Sequence, residues 1–386
     1  MKVIEVFIVF LRLGLTSFGG PIAHLGYFHD EFVKRRKWLD EHSFADLVAL
    51  CQFLPGPASS QVGIAIGLSR AGVLGSFAAW LGFTLPSALA LIFFAFGVSN
   101  LSNYLGAGWL HGLKIAAVAI VAQALWSMGT KLSRGKLRAI ITFGSAILIS
   151  WLPFAFGQVA IIFLAGLIGW QFIQEQNPPP HTPIKTGITR AAAALILALF
   201  FAILFVLPFV ASASDNLSLK LFDSFFRAGS LVFGGGHVVL PLLKSEVVNP
   251  GWVTADAFMA GYGAAQAIPG PLFTFSSYLG AIASGWSGAI ICLVAAFLPS
   301  FFLVFGAFPF WEEIRKNESM RSAMAGINAA VVGLLLSAFF NPVWSSAIGN
   351  PKDYSLALLA FLLLVFLKTP SWAVVIVSAI GAGLLL

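Results

Sequence analysis

Two Pro-Gly-Pro sequences, Pro55-Gly56-Pro57 and Pro269-Gly270-Pro271, are the features of this chain with the clearest chemical potential. Glycine suits the residue that caps a helix and proline suits its first position, so each sequence predicts a break with a helix starting after it. The unpaired N–H groups and the dipole at a helix start can bind an anion. Each break is therefore a candidate anion site. Alternatively, its prolines only end and restart helices around a tight bend.

Neutral side chains near the breaks could donate further hydrogen bonds to an anion. The candidates, beside Gly56, Pro57, Gly270 and Pro271 themselves, are Gln52, Ser59, Ser60, Gln266 and Thr274. The two glutamines lie three residues before each break, and they could instead satisfy backbone carbonyl groups of the bend.

Two arginines occupy matching positions, and each lies a few residues before a glycine pair. Arg12 precedes Gly19-Gly20, and Arg227 precedes Gly234-Gly235. A charged side chain within a membrane segment costs roughly 2.5 to 3.5 kcal/mol on insertion scales, so it is interpreted as functional. Two guanidinium groups would give a dianion both charge and forked hydrogen bonds. Alternatively, each arginine extends to an interface or pairs with an acid, and the glycines serve packing.

Four residues are candidates for carrying protons, namely His24, His237, Glu31 and Glu246. Histidine titrates near neutral pH, and the two glutamates occupy matching positions in the chain. A histidine that is only hydrogen-bonded, or a glutamate in a solvated loop, explains the same residues without transport of protons.

The elements that hold these residues must be membrane helices. Hydrophobic residues make up 59% of the 386, charged residues only 10%, and the mean hydropathy is +0.93. Residues 71–110 and 257–311 contain no Asp, Glu, Lys or Arg. A bilayer-spanning helix needs roughly 20 apolar residues, so these runs predict an all-α polytopic membrane protein.

The chain repeats itself at about half its length. Arg12 to Gly20 matches Arg227 to Gly235, both breaks match, and Leu85-Pro86-Ser87 matches Leu298-Pro299-Ser300. The repeats are expected at 1–175 and 215–386, with a Pro-rich linker and an extra transmembrane helix at 176–214. One extra crossing would turn the second half upside down, which is the arrangement of inverted-repeat transporters.

Loop charge favours re-entrant hairpins over full crossings for the segments broken by glycine and proline. If these segments turn back, most of the 22 lysines and arginines lie on the cytoplasmic side, as is usual for membrane proteins. If all of them cross, the basic clusters at 34–37 and 131–138 fall on opposite sides. Broken backbone within a membrane is tolerated where it is buried in protein or lines an aqueous cavity.

The motifs resemble those of a known family. Phe18-Gly19-Gly20-Pro21, Phe233-Gly234-Gly235-Gly236 and both breaks are similar to the signatures of the chromate ion transporter family, in its two-domain, long-chain type. The resemblance implies a secondary transporter that exports chromate, a tetrahedral oxyanion, across a bacterial inner membrane and confers chromate resistance. Sulfate or another oxyanion as the substrate, or a passive anion channel, are the alternatives.

The sequence offers no sign of an enzyme. Gly-x-Ser-x-Gly, His-Glu-x-x-His and Walker A motifs are absent, so we expect no catalytic residues, cofactor or metal. The expected partners are a chromate- or sulfate-like oxyanion and the lipid bilayer, without nucleic acid, and a homodimer is left open. In the mechanism we expect, both arginines and both breaks build one central site, and one repeat rocks against the other to alternate access.

Overall fold

The computed structural model describes residues 2–18, 20–105, 108–151, 155–174, 187–232, 239–311, 313 and 317–385. Within these residues every regular element is a helix, which confirms the all-α class. The predicted site residues Gly19, Gly234, Gly235 and His237 lie outside the described residues.

The helices follow one another in two sets with the same order, separated by α8. The first set is α1 (Lys2–Thr16), α2 (Gly20–His29), α3 (Glu41–Phe53), α4 (Ala58–Leu105), α5 (Gly108–Leu132), α6 (Lys136–Trp151) and α7 (Ala155–Phe172). Helix α8 spans Arg190–Ser212. The second set is α9 (Leu217–Leu231), α10 (Val239–Val247), α11 (Ala255–Ala267), α12 (Phe275–Ala307), α13 (Glu318–Ala338), α14 (Pro351–Val365) and α15 (Ser371–Leu385).

Helices α3 and α11 lead into the two breaks, and matching residues cap their starts and follow their ends. The side chain of Asp40 accepts a hydrogen bond from the Ser43 amide at the start of α3, and Thr254 does the same for Ala257 at the start of α11. Such caps satisfy amide groups that have no partner within the helix. Both helices end shortly before the first proline of the break, because proline disfavours helical backbone in the preceding residue.

The long helices α4 and α12 each contain a kink at a matching glycine. The backbone leaves the helical conformation at Gly72 (φ +67°) and at Gly285 (φ +62°). Positive φ is easily adopted only by glycine. Across each kink two further glycines touch, so a Cβ on Gly67 or Gly280 would collide with a backbone carbonyl of the same helix. The kinks turn each long helix into a short arm after the break and a longer second arm.

The two halves interleave. Helix α5 of the first half packs against α11, α14 and α15 of the second, while α13 of the second half packs against α6 and α7 of the first. Matching glycines allow these close crossings: a Cβ on Gly112 would lie 2.6 Å from the Cα of Ala379, and one on Gly326 would lie 2.8 Å from the Cα of Gly169. Each half therefore completes its packing with helices of the other.

The described residues include five segments that are long and apolar enough to cross a membrane, namely Ala58–Gly97, Gly108–Leu132, Arg190–Ser212, Leu272–Phe310 and Glu318–Ala347. The outer surface agrees, because Trp151, Phe172 and Phe209 are 80%, 68% and 76% exposed. Large apolar side chains in such numbers are stable on a surface that faces lipid. The chain is a multi-pass membrane protein.

Candidate functional site

Each Pro-Gly-Pro break is bound by the opposite half of the molecule. The Gly56 amide donates to the Val232 carbonyl at the end of α9, at 2.6 Å, and the Gly270 amide donates to the Ser17 carbonyl at the end of α1, at 3.0 Å. Val232 and Ser17 are matching positions. The contacts are thus reciprocal between the halves.

The opposite half also supplies a serine to each break. A Cβ on Gly56 would lie 3.2 Å from the Ser300 hydroxyl, and one on Gly270 would lie 2.8 Å from the Ser87 hydroxyl. Both glycines have positive φ, +122° and +98°. The Leu-Pro-Ser sequences that repeat along the chain therefore bring their serines to the breaks, which sequence reasoning did not anticipate.

His24 connects the two breaks. Its Nδ1 lies 3.3 Å from the Ser59 hydroxyl in the first turn of α4, and its ring meets the Phe83 ring edge-on at 5.2 Å. The Phe83 carbonyl in turn lies 3.2 Å from where a Cβ on Gly270 would be. The helix start after the first break, His24 and the second break therefore form one continuous chain of contacts.

Buried polar atoms without a partner among the described residues occur on the segments that border the two breaks. They are the hydroxyl groups of Ser17, Ser60, Thr84 and Ser300 and the Nε2 of His24, none of which has a hydrogen-bond partner within the described residues. Their side chains are at most 3% exposed. Buried polar groups in proteins are nearly always hydrogen-bonded, so such atoms without partners indicate places for a polar ligand or water.

The hydroxyl groups after the second break already donate hydrogen bonds to backbone carbonyl oxygens. Those of Thr274, Ser276 and Ser277 donate to the carbonyl oxygens of Pro271, Phe273 and Thr274, each at 2.7 Å. Thr274 is the counterpart of Ser60, whose hydroxyl has no partner among the residues that the structure describes. Most of the donors available to an anion, those of Ser17, His24, Ser60 and Thr84, therefore belong to the first half.

The two helix starts also differ. Helix α4 begins at Ala58, and the Gln61 amide donates to the Pro57 carbonyl at 3.0 Å, so Pro57 rather than Gly56 holds the capping position. After the second break a 3₁₀ turn, Leu272–Thr274, precedes α12. The first break thus presents the regular helix start that the sequence predicts, displaced by one residue.

The glutamines before the breaks do not share one environment. Gln52 is exposed, whereas Gln266 is 8% exposed and its Nε2 has no partner within the described part of the chain. Of the pair, Gln266 alone is a buried donor near its break.

Arg12 and Arg227 are not brought together. Arg12 is exposed on a face of α1 that also exposes Ile8 and Leu15, and no described acidic side chain pairs with it. Arg227 Nη2 lies 2.9 Å from Asp223 Oδ2 and 2.8 Å from Glu246 Oε2. The predicted central site with two guanidinium groups is therefore not formed, because one arginine faces outward and two carboxylates hold the other.

The matching glutamates differ as well. Glu31 accepts hydrogen bonds from Arg36 at 2.6 Å and from Arg35 at 3.0 Å, just after α2. Partial burial raises the pKa of the Glu31 carboxyl, but the hydrogen bonds and charges of the two arginines outweigh it, so the pKa lies below its usual range. Glu31 therefore remains ionised at neutral pH, which does not favour it as a proton carrier.

A model of a protein family, described as chromate transporter, matches residues 4–170 and again 219–384. The matches cover most of both halves. The chain belongs to the chromate transporter family. This is a family of transporters, not of enzymes. Within the described residues no group of three His, Cys, Asp or Glu residues could hold a metal ion.

Named relatives match this family member over most of its length. A chromate transport protein of Pseudomonas aeruginosa is 29% identical over 338 residues, covering 86% of this chain and 79% of the relative. An uncharacterized transporter of Methanocaldococcus jannaschii is 28% identical over 345 residues, covering 86% and 83%. A chromate transport protein of Cupriavidus metallidurans is 27% identical over 390 residues, covering 98% and 92%. No solved structure matches the chain.

Proposed function

We propose that this protein is a secondary transporter that exports chromate across the inner membrane of a bacterium and so gives chromate resistance. The observation that carries the proposal is the set of buried donors without a partner among the described residues, on the segments that border the two breaks, in a member of the chromate transporter family. A tetrahedral oxyanion presents acceptors in four directions, and donors contributed by both halves suit it.

The donors we assign to the anion are neutral. They are the hydroxyl groups of Ser17, Ser60, Thr84 and Ser300, the Nε2 of His24 and the amide of Gln266. The start of α4 adds the positive end of a helix dipole. If the Ser59 hydroxyl donates to His24 Nδ1, the proton of the neutral imidazole lies on Nε2, which can then donate to the anion.

Neutral donors favour a carrier over a permanent binding site. An anion held by hydrogen bonds and a helix dipole can leave more easily than one held by two arginines. Arg12 and Arg227 therefore act elsewhere in this account: Arg12 raises the local anion concentration at the surface, and Arg227 is bound to carboxylates. Gly56, Pro57, Gly270 and Pro271 shape the backbone of the site.

The membrane potential can supply the energy for export. Moving one charge through 100 mV is worth about 2.3 kcal/mol, so a dianion gains about 4.6 kcal/mol by leaving a negative interior. The halves rock against each other about the reciprocal contacts at Gly56 and Gly270, with the second half inverted in the membrane. Access to the junction of the breaks then alternates between the two sides.

The test is the flux of radiolabelled chromate into inverted membrane vesicles, with the potential and the pH gradient set independently. We expect saturable uptake, driven by a positive interior and inhibited by excess unlabelled chromate. Sulfate has the same shape and charge, and its inhibition constant gives the substrate ranking. Chromate flux that does not saturate would indicate a passive channel, and no chromate flux would refute the proposal.

A further inference from the structure

A buried group of two carboxylates and one arginine lies at the start of the second half. Arg227 and Asp223 are one turn apart on α9, and Glu246 extends toward them from α10. Both carboxylates contact the same Nη2 atom of Arg227, Asp223 at 2.9 Å and Glu246 at 2.8 Å. The side chains of Arg227, Asp223 and Glu246 are 19%, 7% and 10% exposed. With both carboxylates ionised, the group carries one net negative charge.

A small cavity adjoins this group. Its volume is about 10 Å³, which is room for about one water, and its polar lining is Gln158 of α7, Arg227, Ser245 and Glu246. Gln158 is 4% exposed, and its Oε1 has no donor within the described residues. An ionised carboxylate cannot donate to this oxygen. A protonated carboxyl group, or a water beside it, can.

The elements around the group contribute few other charges. Helices α7 and α12 contain no charged residue. On α8, Arg190 pairs with Glu313. Lys220 of α9 lies one turn before Asp223, and Lys244 of α10 donates a hydrogen bond to Asn341. The charged side chains of α13 are Glu318 and Arg321. Within the described part of the chain, Arg227 is the cation in contact with the two carboxylates.

We infer that Asp223 and Glu246 together hold one exchangeable proton around Arg227, and that this site couples transport by the protein to pH. The coupling rests on the proposed function, but the proton site does not. A net charge in a poorly solvated site is costly, and two carboxylates in close proximity rarely stay ionised together. One proton from water neutralises the group, and its return to water on the other side restores the charge.

Among its described residues, the first half has no such site. The position that matches Asp223 is Ile8, the matching arginine Arg12 is exposed, and Glu31 binds Arg35 and Arg36 instead. The chain therefore has one acid pair of this kind among its described residues, which predicts one proton per transport cycle from this site.

Infrared spectroscopy of the purified protein tests the proton site without any substrate. A protonated carboxyl group absorbs apart from an ionised one, so a pH titration of the wild type should show the loss of one buried carboxyl proton. Glu246→Gln and Asp223→Asn should each remove this signal or move its midpoint. The control is Asp30→Asn, which removes an exposed carboxylate paired with Lys34 and should leave the signal intact.

Two outcomes overturn the proton site. One is a wild-type titration without a protonated carboxyl signal across the pH range in which the protein stays folded, a result that needs no variant. The other is the same signal in both variants as in the wild type. Circular dichroism and gel filtration identify a variant that fails to fold, and the wild-type titration then decides.

Flux measurements test the coupling. A rate set by one protonation changes up to about tenfold per pH unit. We expect wild-type chromate flux to depend on pH in this way and Glu246→Gln to flatten the profile, while Asp30→Asn retains it. A wild-type profile independent of pH would overturn the coupling and leave chromate transport standing. Absence of flux in the wild type would refute the proposed function, and the infrared titration would still test the site.

Discussion

The two halves of this transporter share their backbone kinks and breaks and differ in their polar side chains. The kinks at Gly72 and Gly285, and the hydrogen bonds of Gly56 and Gly270 to the opposite half, occur in both. By contrast, Ser60 has an unpartnered hydroxyl where Thr274 donates to Pro271. The repeated glycines and prolines therefore specify the fold, and the differences between the halves assign separate tasks to them.

One of these tasks is to bind the anion, and the other is to bind a proton. The first half supplies most of the free donors that we assign to the anion, while the second half contains the buried acid pair around Arg227. A transporter with two equal halves would bind its substrate equally from both. The differences here concentrate anion binding in the first half and proton binding near α9.

The arginines should give the largest difference in stability. Arg227→Gln leaves two carboxylates buried without their cation, and breaking a buried pair costs about 3 to 5 kcal/mol in the free energy of unfolding. Arg12→Gln removes an exposed side chain and should change it by no more than about 0.5 kcal/mol. Thermal unfolding of both variants in the same detergent measures the difference. Equal losses would contradict the environments described for the two arginines.

The break glycines should come next. Alanine at Gly56 must adopt φ +122° and place its Cβ 2.6 Å from Gln61 Nε2, which donates to the Pro55 carbonyl. We expect a loss of about 2 to 3 kcal/mol in the free energy of unfolding, from backbone strain and overpacking. The matched control is Gly72→Ala, where φ is +67° and the space is open, with a cost of about 1 kcal/mol.

These variants are compared by two measurements, thermal unfolding and chromate flux at saturating substrate. Gly270→Ala should resemble Gly56→Ala, because its Cβ would lie 2.8 Å from the Ser87 hydroxyl. If Gly56→Ala is no more harmful than Gly72→Ala, the close contact between the halves at the break is not as described.

The sequence was sufficient to predict where the backbone breaks and where the long helices lie. The repeat located both breaks, and the apolar runs without charge located the long helices. Glycine and proline act through local backbone geometry, so their spacing carries this information directly.

The directions of the polar side chains were not predictable in the same way. Nearly every face of these helices is apolar, so the sequence does not show which face packs inward. Arg12 and Arg227 match in sequence, but one faces outward and the other faces α10. Asp223, four residues before Arg227, was an available signal for an ion pair on one helix face. The unpartnered hydroxyl of Ser300 became apparent only when both halves were in place.

A smaller effect is expected from a cluster that, among the described residues, occurs in the first half alone. Glu5 accepts hydrogen bonds from Arg36 and Arg70 at 3.3 and 3.2 Å, and both guanidinium groups lie over the Trp38 ring. A double-mutant cycle of Glu5→Gln and Arg70→Gln should give a coupling energy of about 0.5 to 1 kcal/mol, as for partly exposed ion pairs. A coupling energy of zero would show that this cluster does not stabilise the first half.

The smallest effect should be the pH dependence of Glu31. Because its pKa lies below the usual value, its ion pairs stabilise the folded state fully above about pH 4.3, the value for an unfolded glutamate. That stabilisation is lost as the pH falls through the lower folded-state pKa. Thermal unfolding of wild type and Glu31→Gln should therefore differ by a constant amount near neutral pH and converge in acid. A difference that persists in acid would contradict this assignment.

The central claim is that the anion binds mainly to donors of the first half. Its most direct test is the KM for chromate in inverted vesicles carrying Ser60→Ala or Thr274→Val, the matched pair with opposite hydrogen bonding. Loss of a hydrogen bond to a charged group costs about 1.5 to 3 kcal/mol, so Ser60→Ala should raise KM about tenfold to a hundredfold. Thr274→Val should change it much less. Equal effects of the two substitutions, or a larger effect at Thr274, would contradict the account.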